Sequence, residues 1–600
     1  MTSTKLEFTW LDGMVVLVYF IGITIFGLWI ARKTRTSGGY FLGDRKLPWW
    51  VMIGQSFGTG TNAENPVAQA GVTCQLGFAT IWYQWKNLLI TPFYWLMAPW
   101  YRRSECTTVS EILEQRYGRG VAVGYSVFAM AFLIFTQGCM LKGAAKVISV
   151  AAGGTLISPN MVVAGMTVAF ILYSFFGGLT ASAYTDFVQS FLIIVLSFML
   201  IPMGLKMAGG FSGMRQSLPA DFFDLYNGKS GVDLFTIFML AVNGLVGMSA
   251  QPHAISMNAT GNSERAGRIG QTYGAMVKRF CAIGWGLTGL VVAALLVQKG
   301  QTLPDREMAF GYACHELLCP GLMGLMVACI LAANMSTCSN FMVNIGAMFT
   351  RDFYKPFLRS AAADKELLLV GRISGLALTG LGIGFSLIVD QVLDAFLFTE
   401  TLSALLGVMF IGGILWKRAN RQGAVAATVV SCLAYYFSNY LLTCCPAGAA
   451  GDGKTLCSAF GRLFESVGNR QTWEFLASGS HQLVYPWTAG PFGFAMLAGF
   501  LALIVASLLT KPEPAEKIAR FFDNMTRSTD AEGLPNEGQK PTAAERGEEL
   551  ILLDLPGWLT AERWKGFWKR YREDIAGFVI AWLAVGFVIW VAWLIMRIGR

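Results

Sequence analysis

The chain has 600 residues, 54% hydrophobic and only 14% charged, with a formal net charge of +9 and a mean hydropathy of +0.50. A soluble domain carries about a quarter charged residues, so composition argues against a water-soluble enzyme. The only histidines, His253, His315 and His481, lie far apart, and no Cys/His metal-site spacing occurs, which leaves a metalloenzyme without support.

Apolar stretches recur along almost the whole chain, and about fourteen of them reach the roughly 20 residues that cross a bilayer core. They are predicted near 10–31, 48–71, 78–99, 121–145, 158–177, 184–206, 233–254, 273–298, 320–348, 367–389, 392–416, 422–443, 487–510 and 574–596. The first ends in Arg32 and Lys33 with no small-residue cleavage site, so it reads as a retained helix and not a signal peptide. Lys and Arg gather in alternate loops: Arg32, Lys33, Arg35, Arg45 and Lys46; Arg102, Arg103, Arg116 and Arg119; Arg265 and Arg268; Arg351, Lys355, Arg359 and Lys365; Lys417, Arg418 and Arg421. This positive-inside pattern places those loops in the cytoplasm and, for an even number of spans, both termini outside. The basic charge therefore reports topology in a multi-pass plasma (inner) membrane protein, with the lipid bilayer and no nucleic acid as partner.

Two spans carry helix-breaking runs. The second contains Gly58-Thr59-Gly60-Thr61-Asn62-Ala63-Glu64-Asn65-Pro66, and the seventh contains Asn243-Gly244, Gly247, Ser249 and Gln251-Pro252-His253. Glycine, proline and polar side chains weaken a helix where an unbroken apolar one would be cheaper. These spans open two successive sets of five, and discontinuous helices at matching positions point to an inverted-repeat transporter with a midplane site; two packing kinks are the alternative. The expected fold class is an all-α polytopic membrane protein with a five-plus-five inverted-repeat core at about 48–443, one helix before it and three after.

Residues 1–510 then form the membrane domain, including a Gly-rich external loop at 444–486. The segment 511–573 is a cytoplasmic linker, expected to be partly disordered between Lys511 and Arg546. It ends in Trp558, Trp564, Phe567, Trp568 and Tyr571 among basic residues, a mix that suits an interfacial helix or an ordinary aromatic flank. Residues 574–600 form the last span. Cys139, Cys281, Cys329, Cys338 and Cys432 fall inside spans and act as small apolar residues. Cys314 with Cys319, and Cys444 or Cys445 with Cys457, fall in external loops where disulfides are permitted.

The ninth span holds Ser336-Thr337-Cys338-Ser339-Asn340, dense in hydroxyl and amide groups for a lipid-embedded helix. Such groups either bond neighbouring helices or supply oxygen ligands to a cation. No span shows a ring of like residues or a filter loop, which disfavours a channel. No nucleophile–base pair marks a membrane enzyme or sensor.

Here the chain resembles the sodium:solute symporter family, which includes sodium–glucose, proline and sialic acid symporters. The resemblance runs from Tyr40-Phe41-Leu42-Gly43-Asp44-Arg45 to at least residue 421. It rests on Asn62-Ala63-Glu64 in the broken helix and on Gly177-Gly178-Leu179-Thr180-Ala181 with Thr185-Asp186-Phe187-Val188-Gln189. The third element is Phe349-Thr350-Arg351-Asp352-Phe353-Tyr354-Lys355. It implies a LeuT-like core, no enzymatic activity, and sodium-coupled symport of a small polar solute by a chain competent as a monomer.

The family's main sodium site falls by position on carbonyls of Gly58, Thr61 and Ala333 and hydroxyls of Ser336 and Thr337. A second sodium site, present in some members, falls on Asp186, Ser336, Ser339 and Asn340. The resemblance assigns the solute to Glu64, Asn65, Gln84, Asn87, Asn243 and Lys278. Read from the residues alone, Glu64 could instead pair with Lys86 or Lys278 and lock helices, and Lys278 could snorkel. Gln84 stands where sugar carriers often place Glu, and Val246 and Gly247 replace the expected gate aromatic. A sugar or polyol stays slightly ahead of a carboxylate or amino acid.

Overall fold

The computed structural model describes residues 8–32, 34, 36–151, 159–226, 232–388, 392–444, 489–526, 549–564 and 566–599. Among them no strand forms, and the bridge between Leu47 and Gly261 is isolated. In chain order the helices that matter here are α1 (Trp10–Ala31), α2 (Trp49–Thr59), α3 (Glu64–Leu76), α4 (Thr91–Arg103), α5 (Arg119–Ala151) and α6 (Pro159–Phe198). They continue with α7 (Leu234–Ser249), α8 (Ala254–Asn258), α9 (Glu264–Lys299), α10 (Leu322–Met348), α11 (Asp364–Ser386) and α12 (Val392–Leu415). The last four are α13 (Arg421–Cys444), α14 (Ala489–Leu509), α15 (Ala515–Met525) and α16 (Arg572–Arg597).

Among the described residues eight helices are long and apolar enough to cross a bilayer, and two more apolar helices are shorter. The second and seventh predicted spans are split: α2 and α3 are separated by residues 60–63, and α7 and α8 by residues 250–253. The predicted third span is not one helix. It is a turn of 3-10 helix at Phe78–Ile81, a helical turn at Trp82–Trp85, a non-helical stretch at 86–90 and then α4.

The predicted fifth and sixth spans join with no loop between them. An unbroken 40-residue α6 would run about 60 Å at 1.5 Å per residue, twice the core of a bilayer. Gly178 breaks it with φ 55° and ψ −147°, a conformation open to glycine. Tyr40 packs directly against its Cα, leaving no room for a side chain.

α9 and α10 form the centre, buried along almost their whole length. α1 and α16 lie at the rim and turn Leu17, Val18, Ile21, Val579, Leu583 and Phe587 outward, as lipid-facing helices do. Close approach at the centre depends on small residues: a Cβ added to Gly274 of α9 would sit 2.8 Å from the Ile53 carbonyl oxygen of α2. Asp12, an acid within apolar α1, accepts from the Gly321 and Gly324 amides at 2.7 Å each. It thereby caps the N-terminus of α10, where the helix dipole favours a carboxylate.

Helix also forms at the start of the segment 511–573. α15 buries Phe521, Phe522 and Met525, with the Arg116 guanidinium 5.7 Å from the Phe522 ring. Arg103 donates to the Met525 carbonyl, and beyond the undescribed residues 527–548 Trp100 donates to the Leu552 carbonyl at 3.0 Å. Trp558, Trp564, Phe567 and Tyr571 cluster before α16. Cys314 and Cys319 are free thiols, the first buried within Ala309–Leu317 and the second exposed. Residues 445–486 of the loop expected outside, and with them any pairing of Cys444 or Cys445 with Cys457, lie outside the described residues.

Candidate functional site

α2 stops at Thr59 because Gly60 and the polar run after it offer little to a continued helix. Gly60 N–H still bonds back to Ser56, but residues 61–63 are non-helical. Two groups hold the gap. The Ala63 N–H donates to Asn334 Oδ1 at 2.9 Å, while Asn334 Nδ2 donates to the Met140 carbonyl at 2.7 Å; α10 and α5 thus clamp the start of α3. The Lys278 ammonium of α9 donates to the Gly60 carbonyl, placing a cation at the C-terminal end of α2, where the dipole favours one. Lys278 therefore does not snorkel to the surface.

Beside this gap α10 presents its hydroxyls. Thr337 Oγ1 lies 3.3 Å from the Gly58 carbonyl and 3.0 Å from that of Thr59, and also contacts Asn62 Oδ1. Ser336 is so close to Gly58 that a Cβ on the glycine would lie 2.7 Å from Ser336 Oγ and 3.3 Å from Asp186 Cβ. Ser336 Oγ, Thr61 Oγ1 and Asp186 Oδ1 are buried with no hydrogen-bond partner among the described residues. Ala333 is buried one turn before Thr337 on the same helix. Of the five positions expected for the main sodium site, Gly58, Ser336 and Thr337 meet at the break and Thr61 lies within it, while Ala333 stands one helical turn away on α10. Buried polar oxygens left unmatched are costly, and oxygen donors are what a hard cation takes.

Asp186 is fully buried. Its Oδ2 accepts from Thr59 at 3.3 Å and from Ser182 at 3.5 Å, and Ser182 Oγ lies 2.6 Å from Ser339 Oγ. Asp186, Ser336 and Ser339 therefore gather. Asn340 departs from that set: its Oδ1 accepts from Ser256 at 3.2 Å and from Asn344 at 2.6 Å, tying α10 to α8. Ser182 was missed by sequence reasoning, although it sits one helical turn before Asp186.

Next to the break lies a cavity of about 80 Å³, room for a few waters at ~30 Å³ each. Gln84, Asn87 and Lys278 of the predicted solute set line it, together with Asn62, Lys86, Gln251, His253, Arg279 and Glu400. Glu64, Asn65 and Asn243 are buried but stand behind the wall. Glu64 Oε1 accepts from Asn62 at 2.6 Å and from Asn65 at 3.0 Å, and among the described residues it forms no ion pair. Lys86 instead pairs with Glu400 at 2.9 Å, and Gln251 donates to both Glu400 oxygens at 3.2 Å. Glu400 was the residue to find. A carboxylate within a predicted membrane span is a functional flag by itself.

A model of the family described as "Sodium:solute symporter family" matches residues 40–431. The chain is 25% identical to sodium/glucose cotransporter 1 of Sus scrofa, over 94% of this chain and 88% of that protein. It is 26% identical to sodium/myo-inositol cotransporter 2 of Sus scrofa, over 70% of this chain and 68% of that protein. Among solved structures, that of a Na⁺-coupled sialic acid symporter in a substrate-bound outward-open state matches with a TM-score of 0.63 at 17% identity, over 84% of this chain and 99% of the other. At that identity the likeness shows a shared fold.

Proposed function

The chain belongs to the sodium:solute symporter family, and from that premise we propose that it carries a small, hydroxyl-rich polar solute together with sodium by alternating access. Membership makes it an integral membrane protein whose relatives couple transport to sodium. The finer reading is a fourteen-span protein with a five-plus-five inverted-repeat core, both termini outside and the segment 511–573 in the cytoplasm, working as a monomer. Sodium is held by Gly58, Thr61, Ala333, Ser336 and Thr337, and a second ion by Asp186, Ser336 and Ser339.

The observation that carries this reading is the unspent oxygen at the break: Ser336 Oγ, Thr61 Oγ1 and Asp186 Oδ1, buried and unpartnered, next to a polar cavity. A ring-sized solute enters that cavity only when its walls part, which is the movement alternating access requires. A tenfold sodium gradient supplies about 1.4 kcal/mol and 100 mV about 2.3 kcal/mol per charge. One ion therefore drives uptake by several hundredfold.

Gln84, Asn87 and Gln251 suit hydroxyls of a sugar or polyol, the solute class printed for the sodium/glucose and sodium/myo-inositol relatives. The cationic wall formed by Lys278 and Arg279 favours a carboxylate as the second reading. Counterflow in proteoliposomes tests the proposal. Sodium-dependent exchange of labelled solute is expected; conductance without exchange would make the protein a channel, and no uptake at all would remove the reading.

A further inference from the structure

The cavity wall carries more positive charge than its own carboxylates balance. Lys86 and Arg279 are each 5% exposed and Lys278 is partly buried, and all three line the cavity with a single carboxylate, Glu400. Glu400 is engaged by Lys86 at 2.9 Å and by Gln251. Lys278 and Arg279 reach neutral groups: the carbonyls of Gly60 and Gln84, the latter at 3.3 Å, and the Tyr94 hydroxyl beside Arg279. Neither forms an ion pair among the described residues, and Arg279 Nε has no hydrogen-bond partner. Even with Glu64 counted from behind the wall, three cations face two carboxylates, and a first sodium at the neighbouring gap is balanced by Asp186 and leaves that excess standing. Buried charge of one sign in a low dielectric persists where a counter-charge arrives.

We propose that the solute itself supplies it: a polyhydroxylated acid, of the uronate or aldonate class, with its carboxylate between Lys278 and Arg279. Its hydroxyls meet Gln84, Asn87 and Glu400. The amide oxygen of Asn87 and Nδ1 of His253 are buried without partners and complete the neutral half of the site. This deepens the symport reading and rests on it. It also gives the Asp186 pocket a purpose. One sodium with one carboxylate moves no net charge, so the membrane potential does nothing for that cycle. Two sodium ions per acid restore one net charge.

Matched pairs test the idea without any variant: D-galactose against D-galacturonate and D-glucitol against D-gluconate, as stabilisers and counterflow substrates of the full-length protein, with and without sodium. The expected result is that an acid binds at least tenfold tighter than its neutral partner and only in sodium. Its uptake should accelerate with an inside-negative potential. Lys278→Gln or Arg279→Gln should reduce the preference for the acid. Sodium-dependent binding that favours the neutral member overturns the acid assignment and leaves symport standing. Absence of sodium-dependent binding by all four removes both.

Discussion

The hydroxyl of Thr337 on α10 donates to the carbonyl of Thr59, the last residue of α2, at 3.0 Å. That one contact joins the unwinding point of the broken helix to the helix that carries the other candidate ion ligands. A hydroxyl offers one proton and two lone pairs, so Thr337 can serve the carbonyls now and a cation when one enters, without leaving its place.

Removing both hydroxyls should separate ion binding from folding. Ser336→Ala with Thr337→Ala is expected to abolish sodium-stimulated uptake. Thr337→Ala alone also leaves buried carbonyls short of a donor, at about 1–3 kcal/mol, visible as a lower Tm. Thr337→Ser keeps the oxygen and should keep most activity. Initial uptake rates against sodium concentration decide it: unchanged half-saturation in the double variant contradicts the site.

Gly58→Ala fills the gap from the other side. The added methyl would stand 2.7 Å from Ser336 Oγ, where the ion belongs, so sodium affinity should fall at least tenfold while the protein still reaches the membrane. Gly586→Ala, with nothing within 4 Å of the added carbon, is the control and should transport normally. Equal sodium affinity in the two variants would count against a cation beside Gly58.

The break itself was legible because it is local. Gly58, Gly60 and Pro66 in one span, and Gln251-Pro252 in another, advertise lost helix wherever they are placed. The hydroxyl run at 336–340 was legible for the same reason, as polarity where lipid would exclude it. What could not be read is what tertiary contact alone decides. The pairing of Lys86 with Glu400 joins residues in distant spans, and each could equally have matched Glu64 or Lys278. Asn340 bonds with Ser256 of α8, and no spacing rule encodes that partner. Gly178 was visible as a glycine, but not as the whole connection between two spans.

Asp186→Asn asks how many ions move. With the carboxylate gone, the Asp186–Ser336–Ser339 pocket loses its charge, and the sodium Hill coefficient should drop from near two to about one. Each ion is worth about 3.7 kcal/mol, the sum of a tenfold gradient and 100 mV on one charge, so the steepest solute gradient should collapse several hundredfold. The measurement is the accumulation ratio at fixed gradient and potential. A coefficient already at one in the unmodified protein would assign Asp186 a structural role.

The Lys86–Glu400 pair offers a test of whether the cavity wall is held by charge or by shape. Glu400→Gln strips Lys86 of the carboxylate 2.9 Å away while preserving volume and a bond for Gln251, and breaking a buried pair costs about 3–5 kcal/mol. Lys86→Met should cost a comparable amount. Replacing both together removes the two charges at once, so the double variant Lys86→Met with Glu400→Gln should be less damaged than the two losses added. Coupling above about 1 kcal/mol, read from denaturation of the purified protein, exceeds the ~0.5 kcal/mol within which independent sites add and would show that the pair braces the non-helical stretch 86–90 against α12. Simple additivity would mean that α4 and α12 are held by their apolar contacts, and that Glu400 faces the solute first and Lys86 second.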